Sequence, residues 1–272
     1  MTAGLEGPER FAGHRYPQVL PVPDHVVPGT LAPWAHVDPQ QRRGLDLSLV
    51  EQRLRLAERH LDVAALPGEP EEMIALATAR HRPVTRRSAV LVALFEDEGE
   101  THVVLTRRAY TLRNHRGEVA LPGGLSEANE DPVATALREA REEVGLDERS
   151  VAVVGWLSPL VSVASNSAIW PVIGLLGGRP NLVGDPAEVD RVFTVALADL
   201  VAEGSFLEER WRRAHRRPGV DEAGYFPMYF YRVPGDLIWG ATARVLTELL
   251  CGVLRVEWPD AHRVWGQVSP VD

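Results

Sequence analysis

The sequence predicts an α/β fold that follows an N-terminal extension, and three observations lead to this prediction. Short apolar runs rich in β-branched and aromatic residues recur from residue 88 onwards, as is typical of buried strands. Residues 131–145 carry the start and stop signals of a helix, and residues 241–256 have the periodicity of a long buried helix. The first 40 residues contain seven prolines and show no periodicity. We therefore assign residues 1–85 to an extension and residues 86–272 to the α/β domain.

The extension is predicted to consist of an arm and two helices. Proline excludes a helix or a central strand from residues 1–40, so we interpret this arm as an extended surface segment anchored by side chains such as Trp34. Residues 44–63 carry apolar side chains at spacings of three and four, which predicts an amphipathic helix, and a second short helix is predicted at residues 70–79. The sequence leaves open whether these elements pack on the domain or form a subunit contact in a homodimer. We expect the domain to fold without residues 1–40.

Elements of the domain follow in order along the chain. Strands are predicted at residues 88–95, 101–107, 151–157, 168–176, 188–195 and 225–233. The acidic turn at residues 96–100 makes the first two a hairpin, and a short helix is predicted at residues 198–202. For the first main helix, Asp131 before Pro132 is a typical start and Gly145 is a typical end.

Composition excludes several classes of function. The formal charge of −9 argues against non-specific nucleic-acid binding, which depends on cationic side chains. All 29 basic residues are arginine, so a Walker-type phosphate lysine and pyridoxal chemistry are excluded. Cys251 is the single cysteine, which leaves no disulfide framework and no cysteine zinc site. Neither a secretory signal nor an apolar run of membrane-spanning length is recognisable, so we expect a cytoplasmic enzyme that does not contact membranes.

The most informative stretch, residues 121–146, reads LPGGLSEANEDPVATALREAREEVGL. Its helix carries Glu139, Glu142 and Glu143 at spacings of three and four, which places three carboxylates on one face. Like-charge repulsion makes this cluster costly unless a cation lies among the carboxylates. Carboxylate oxygens suit a hard divalent ion, so the pattern predicts a magnesium or manganese site. A solvated acidic helix is the alternative, but it does not explain the register of the neighbouring glycines and arginine.

This stretch resembles the Nudix box, the signature of the Nudix hydrolases. The fixed positions of the box are occupied here by Gly124, Glu130, Arg138, Glu139, Glu142, Glu143 and Gly145. Ala140 takes a position where Ile, Leu or Val is more usual. The resemblance implies an α/β/α sandwich with a mixed β-sheet and a metal-dependent hydrolase of phosphoanhydride bonds. It also implies that the metal shell consists of Glu139, Glu143, Glu142 and the Gly123 carbonyl.

A second motif lies immediately upstream, within residues 104–124. It resembles the extra motif of the coenzyme A pyrophosphatase branch of this family, whose two fixed arginines fall on Arg108 and Arg113. Two positions depart from that motif, because Val104 replaces a leucine and Leu121 replaces a phenylalanine. The resemblance implies cleavage of coenzyme A to 4′-phosphopantetheine and adenosine 3′,5′-bisphosphate.

The residues of this second motif also form a basic island in an acidic protein. The island consists of Arg107, Arg108, Arg113, His115 and Arg116. Arginine is preferred for bidentate phosphate contacts, and adjacent glycines let the backbone approach a phosphate. We therefore assign substrate binding to Arg108, Arg113, His115 and Gly124. The alternative is that the two fixed arginines only pair with box carboxylates, a bracing role for which Arg138 is the better candidate.

Hydrolysis requires a group that accepts a proton from the attacking water. Glu142 and Glu139 are candidates within the box. Glu188, which precedes a predicted strand, is a further candidate as base or ligand and fits equally well as an ordinary surface residue. The sequence leaves the choice among these three open.

Other features give weaker indications of function. The arginines among residues 210–217 are expected on a solvated surface helix. Trp239 and the aromatic residues 229–231 are candidates for an apolar wall of the substrate site, although we expect most of those rings to be buried in the core. Hydrolysis of NADH, ADP-ribose or a nucleoside triphosphate remains an alternative function. A nucleotide-binding module without catalysis is a second alternative, against which the complete set of glutamates argues.

Overall fold

A computed structural model describes residues 18, 20–56, 86–162, 167–212 and 225–258 of the chain. The helix predicted at residues 70–79 lies outside them. Among the described residues, the strands are β1 (His25–Pro28), β2 (Arg86–Asp97), β3 (Glu100–Arg108), β4 (Val119–Ala120), β5 (Gly123–Leu125), β6 (Val151–Trp156), β7 (Leu160–Ser162), β8 (Ser167–Leu176), β9 (Val189–Ala196), β10 (Phe206–Arg212), β11 (Tyr225–Val233) and β12 (Asp236–Trp239). The helices are α1 (Leu47–Leu56), α2 (Pro132–Val144), α3 (Leu197–Leu200) and α4 (Gly240–Leu254), with a 3-10 turn at Glu148–Ser150.

A mixed eight-stranded sheet forms the centre of the fold. Its main order is β4-β3-β2-β8-β6, while β9 pairs with β3, β5 with β2 and β7 with β8. Strands β2 and β8 run parallel, whereas the other pairs are antiparallel. Pro171 lies where the partner of β8 changes from β7 to β6, so the proline does not end the strand. The predicted mixed sheet is therefore confirmed.

The pleat of β2 and β3 divides the apolar core into two layers. Toward α2 the two strands direct Leu91, Ala93, Phe95 and Val104. Toward α1 and α4 they direct Val92, Leu94, Val103 and Leu105. Helices thus cover both faces of the sheet, and the layer that contains α4 also includes a second, antiparallel sheet of order β1-β10-β11-β12. No helix within the described ranges is long and apolar enough to cross a membrane.

The predicted elements agree with the structure over most of the domain. All six predicted strands are present, as are the two main helices, the short helix α3 and the part of α1 that is described. The strands β1, β4, β5, β7, β10 and β12 were not predicted. Most of these are short, and apolar periodicity cannot identify strands of two to four residues.

The expected surface helix with Arg210 and Arg212 is wrong, because both arginines lie on strand β10. Strand β10 pairs with β1 and β11, and its alternate residues face two different apolar clusters: Phe206 packs in the main core, whereas Trp211 packs on the outer side of the second sheet. Charged residues between the aromatic ones concealed this alternation in the sequence. The remaining arginines of this cluster, at residues 213–217, lie outside the described residues.

The described part of the extension packs directly on the domain. Strand β1 adds to the edge of the second sheet, and Trp34 is only 1% exposed, with its ring edge-on to Phe206 at 5.3 Å between centroids. Carboxylates of the β2–β3 hairpin bind the start of α1: Glu96 accepts from the Leu47 N–H at 3.1 Å, and Glu100 accepts from the Gly44 N–H at 2.9 Å. These contacts revise the expectation that residues 1–40 are dispensable for folding. The boundary at residue 85 stays a prediction.

We predict that Trp34→Ala lowers the free energy of unfolding by about 3 to 5 kcal/mol, because it leaves a cavity beside Phe206 and Tyr231. Deletion of residues 1–40 should lower it at least as much. Urea unfolding followed by circular dichroism measures both effects, with Val22→Ala as the control because Val22 is 83% exposed. Unfolding of the truncated protein at the wild-type midpoint would show that the arm is dispensable after all.

Candidate active site

Helix α2 begins and ends where the sequence predicts. The Asp131 side chain accepts a hydrogen bond from the Ala134 N–H at 2.9 Å, and Pro132 occupies the first turn. At the other end, Gly145 adopts φ 67°, and its N–H bonds to carbonyls of the last turn. These two caps fix the helical register and place Glu139 and Glu143 one turn apart, facing the segment that contains β5.

A guanidinium cross-links the carboxylates of α2. Arg138 donates to both oxygens of Glu130, at 2.9 and 3.0 Å, and its Nη1 donates to Glu139 and Glu142 at 2.9 Å each. Its Nη2 also donates to the Leu125 carbonyl at 2.9 Å. The ion pair with Arg138 lowers the pKa of Glu130 to about 2. The bracing role predicted for Arg138 is thereby confirmed, and it ties the loop before α2 to the middle of the helix.

Both glycines before α2 lie very close to neighbouring atoms. A Cβ on Gly124 would overlap the Glu139 carboxylate, and a Cβ on Gly123 would overlap the backbone of β2 at Ala89 and Val90. The Gly123 N–H donates to Glu143 Oε2 at 3.0 Å. Glycine at both positions therefore lets β5 lie directly against the carboxylates of α2.

Glu143 is held from three directions. Besides the bond from Gly123, its Oε1 lies 3.6 Å from Arg108 Nη1, and its carbonyl accepts from the Asp185 N–H at 2.9 Å. Its side chain is only 5% exposed. Burial raises the pKa of Glu143 to about 7; the bond from Gly123 and the charge of Arg108 oppose this rise, and the charges of Glu188 and Glu139 add to it.

The remaining predicted carboxylates differ in environment. Burial raises the pKa of Glu139, the contact with Arg138 opposes this, and the charges of Glu142 and Glu188 add to the rise. Glu142 is half exposed and is shared between Arg138 and Arg141. Glu188 lies on the exposed turn before β9, where its carbonyl accepts from Ala109 N–H. Its charge nevertheless acts on Glu139 and Glu143, so the fold brings this predicted residue toward the site.

The donor set fits a hard divalent cation. Glu139 and Glu143 offer oxygens whose negative charges repel each other in a partly buried place, and a cation would relieve that repulsion. Within the described parts of the chain, no three His, Cys, Asp or Glu side chains form a complete cage for an ion. Magnesium is often held by one or two carboxylates together with water and substrate phosphates, which is the arrangement these residues suit.

In the structure, the basic island divides into side chains that contact carboxylates and side chains that do not. Arg107 is committed to a network in which its Nε lies 2.8 Å from Asp190 and its Nη1 lies 3.1 Å from Asp236. Arg108 faces Glu143, and His115 bonds Glu118 at 2.9 Å, a contact that raises the pKa of the imidazole. In the second group, Arg113 and Arg116 are exposed and form no ion pair with described residues.

Most of the aromatic residues considered for an apolar wall lie in the core. The rings of Tyr229, Phe230 and Tyr231 are buried in the core, as expected for most of them, and the Trp239 indole donates to Gln18 at 2.8 Å. Burial removes Tyr229, Phe230 and Tyr231 as a wall for the substrate, whereas Trp239 is partly exposed and its place in such a wall stays a prediction. Sequence reasoning missed Asp236, because a Gly-Asp pair between two strands indicates only a turn.

We predict that Glu143→Gln stabilises the metal-free protein and that this gain grows as pH rises. The folded protein retains the Glu143 proton up to about pH 7, whereas the unfolded chain releases it near the ordinary value of 4.5. Ionisation therefore costs wild-type stability between these two pH values, by about 3 kcal/mol at most, and glutamine avoids that cost. Thermal unfolding from pH 4.5 to 8 with a chelator measures the difference, with Glu51→Gln on α1 as the control. A gain independent of pH would contradict burial as the cause.

The sequence is similar to those of several known proteins. Residues 85–217 match the NUDIX domain family. The chain is 40% identical over 178 residues to Nudix hydrolase 22, chloroplastic, from Arabidopsis thaliana, covering 63% of this chain and 56% of that protein. It is 39% identical over 191 residues to Nudix hydrolase 15, mitochondrial, from the same plant, covering 68% of this chain and 64% of that protein. The chain thus spans less than two thirds of the length of either plant relative, and its predicted cytoplasmic location stays a prediction.

A bacterial relative is matched over most of its length. The Nudix hydrolase NudL of Photorhabdus laumondii is 37% identical over 167 residues, which cover 60% of this chain and 83% of that protein. The chain therefore belongs to the Nudix hydrolase family.

Proposed function

We propose that the protein is a metal-dependent diphosphatase that cleaves coenzyme A or its derivatives. The observation that carries the proposal is the pair of partly buried carboxylates, Glu139 and Glu143, against a glycine backbone and beside Arg108. Like charges are held together there at a cost in stability, which is consistent with a site that binds a cation. Membership of a hydrolase family adds support.

Each residue of the site has a distinct task in this proposal. Glu139 and Glu143 would hold magnesium or manganese, with Glu142 and the Gly123 carbonyl as further ligands. A divalent ion held there would neutralise phosphate charge and lower the pKa of the water bound to it. Arg108 and the Gly124 backbone bind the diphosphate, and Arg138 fixes Glu139 so that its carboxylate does not turn away. Attack on one phosphorus in line with the bridging oxygen then cleaves the anhydride.

The proton of the attacking water passes to a glutamate in this scheme. Glu188 approaches from the turn before β9 and is not bound by Arg138, whereas Glu139 and Glu142 each share that guanidinium. Glutamine substitution of each residue, with turnover measured against pH, separates the roles: loss of the acidic limb of the profile, where turnover rises as the base loses its proton, identifies the base.

We propose coenzyme A as the substrate, and not another nucleoside diphosphate derivative, because of the second motif. Arg113 lies in the loop after β3, exposed and without an ion pair to described residues, so it is free to contact a further phosphate. With His115, it would contact the 3′-phosphate that distinguishes coenzyme A from its dephosphorylated form. Cleavage of NADH, ADP-ribose or a nucleoside triphosphate is the alternative, since these substrates share the diphosphate and lack that group.

The metal ligands provide the first test. We predict that Glu139→Gln and Glu143→Gln each lower turnover by several orders of magnitude at saturating magnesium while thermal unfolding remains cooperative, because each removes a proposed ligand. Steady-state product formation measures this, with Glu148→Gln as a control outside the site. Near wild-type turnover in either variant would refute the ligand assignment.

The specificity of the site provides the second test. We predict that coenzyme A is cleaved about ten- to a hundredfold more efficiently than 3′-dephospho-coenzyme A, because a charge-assisted contact to the extra phosphate is worth about 1.5 to 3 kcal/mol. Arg113→Ala should reduce this preference more than it lowers cleavage of the dephosphorylated substrate. The measurement is kcat/KM for both substrates, with the exposed Arg179→Ala as the matched control.

Two outcomes would redirect the assignment. Equal efficiency of the wild type on both substrates would remove the 3′-phosphate contact. Efficient cleavage of ADP-ribose or NADH in place of coenzyme A would move the protein to the alternative substrate class.

A further inference from the structure

The Glu143 side chain has two polar contacts, one from Arg108 and one from Gly123. The two segments that supply them are linked by one pair of strands. Arg108 ends β3, and Gly123 lies three residues beyond the end of β4. Strands β3 and β4 pair with each other, and Arg107 of β3 lies opposite Val119 of β4. This one cross-strand pair therefore lies next to Arg108 and four residues before Gly123.

Arg107 is held from the face of the sheet opposite to α2. Successive residues of a strand point to opposite faces, and accordingly Arg108 reaches α2 whereas Arg107 reaches β12. There its Nη1 lies 3.1 Å from Asp236, which is fully buried and also lies 3.3 Å from Arg191 Nη1. Asp190 pairs with Arg107 from a bulge in β9, so two carboxylates balance two guanidiniums.

Val119 is held from the same face. The Thr242 hydroxyl, in the first turn of α4, donates to the Val119 carbonyl at 3.1 Å. Asp236 begins β12, and Thr242 follows six residues later in the first turn of α4. One short segment of the C-terminal layer thus contacts both members of the cross-strand pair.

We propose that Asp236 and Thr242 are positioning residues of the carboxylate site. By holding Arg107 and Val119 from behind, they fix the strand ends that direct Arg108 and the Gly123 N–H at Glu143. Neither residue touches the reacting atoms. The kinetic consequence rests on the proposed function, whereas the structural consequence does not.

The structural consequence is tested by amide hydrogen exchange in the full-length protein. Thr242→Val removes the hydroxyl and keeps the shape, so the Gly123 amide should exchange about tenfold faster or more, whereas Thr242→Ser should behave as wild type. Thr247→Val is the matched control, because that threonine lies on the same helix and bonds Ala243 and Tyr231 instead of β4. Equal exchange at Gly123 in Thr242→Val and wild type would overturn the proposal.

The kinetic consequence is tested by a double-mutant cycle. Asp236→Asn should lower kcat/KM for the best cleaved diphosphate by about tenfold or more, mainly through KM. If Asp236 acts through Arg108, the same substitution in an Arg108→Gln background should have an effect of less than about threefold. An equal factor in both backgrounds would show a general structural role and overturn the proposal.

These two readouts separate this inference from the proposed function. A wild type that cleaves no diphosphate refutes the proposed function, and hydrogen exchange at Gly123 still decides the positioning role. If Asp236→Asn fails to fold because Arg107 and Arg191 lose their buried partner, the Thr242 pair of variants decides it alone.

Discussion

Repulsion between carboxylates that share one helix is the constraint on which the rest of the site depends. Glu139 and Glu143 lie one turn apart, and burial disfavours the charged form of both. The chain limits the cost with a guanidinium on each: Arg138 contacts Glu139, and Arg108 approaches Glu143. Part of the charge of this pair remains, because Arg138 is divided among three glutamates and Arg108 stands 3.6 Å away. That remaining charge is what a divalent ion would neutralise.

The carboxylates of α2 also depend on the glycines of β5. A buried carboxylate needs backbone donors close by, and side chains on β5 would keep them away. The Gly123 N–H reaches Glu143 only because β5 lies against β2 without a Cβ between them. The glycine pair and the glutamates are thus two parts of one steric and electrostatic solution, which explains why they occur in a fixed register.

Much of this organisation was predictable because it is local in sequence. The caps of α2, the carboxylate face and the Arg138 brace all follow from spacings within 15 residues. The contacts that the sequence did not reveal join distant segments. Asp236 meets Arg107 across 129 residues, and β1 pairs with β10 across more than 180. Strand β10 was missed for a related reason, since Glu208 and Arg210 obscure its apolar alternation until the partner strands are known.

The long-range contacts also change how the basic island is understood. From the sequence, five neighbouring cationic side chains all appear available to phosphates. In the structure, Arg107 is neutralised by Asp190 and Asp236, and His115 is paired with Glu118. Within this island, Arg113 and Arg116 at the tip of the β3–β4 loop are the side chains that form no ion pair with described residues. A diphosphate bound at Glu139 and Glu143 would leave Arg113 and Arg116 available to a further anionic group of the substrate. A contact of that kind would let this chain discriminate among substrates that share the diphosphate.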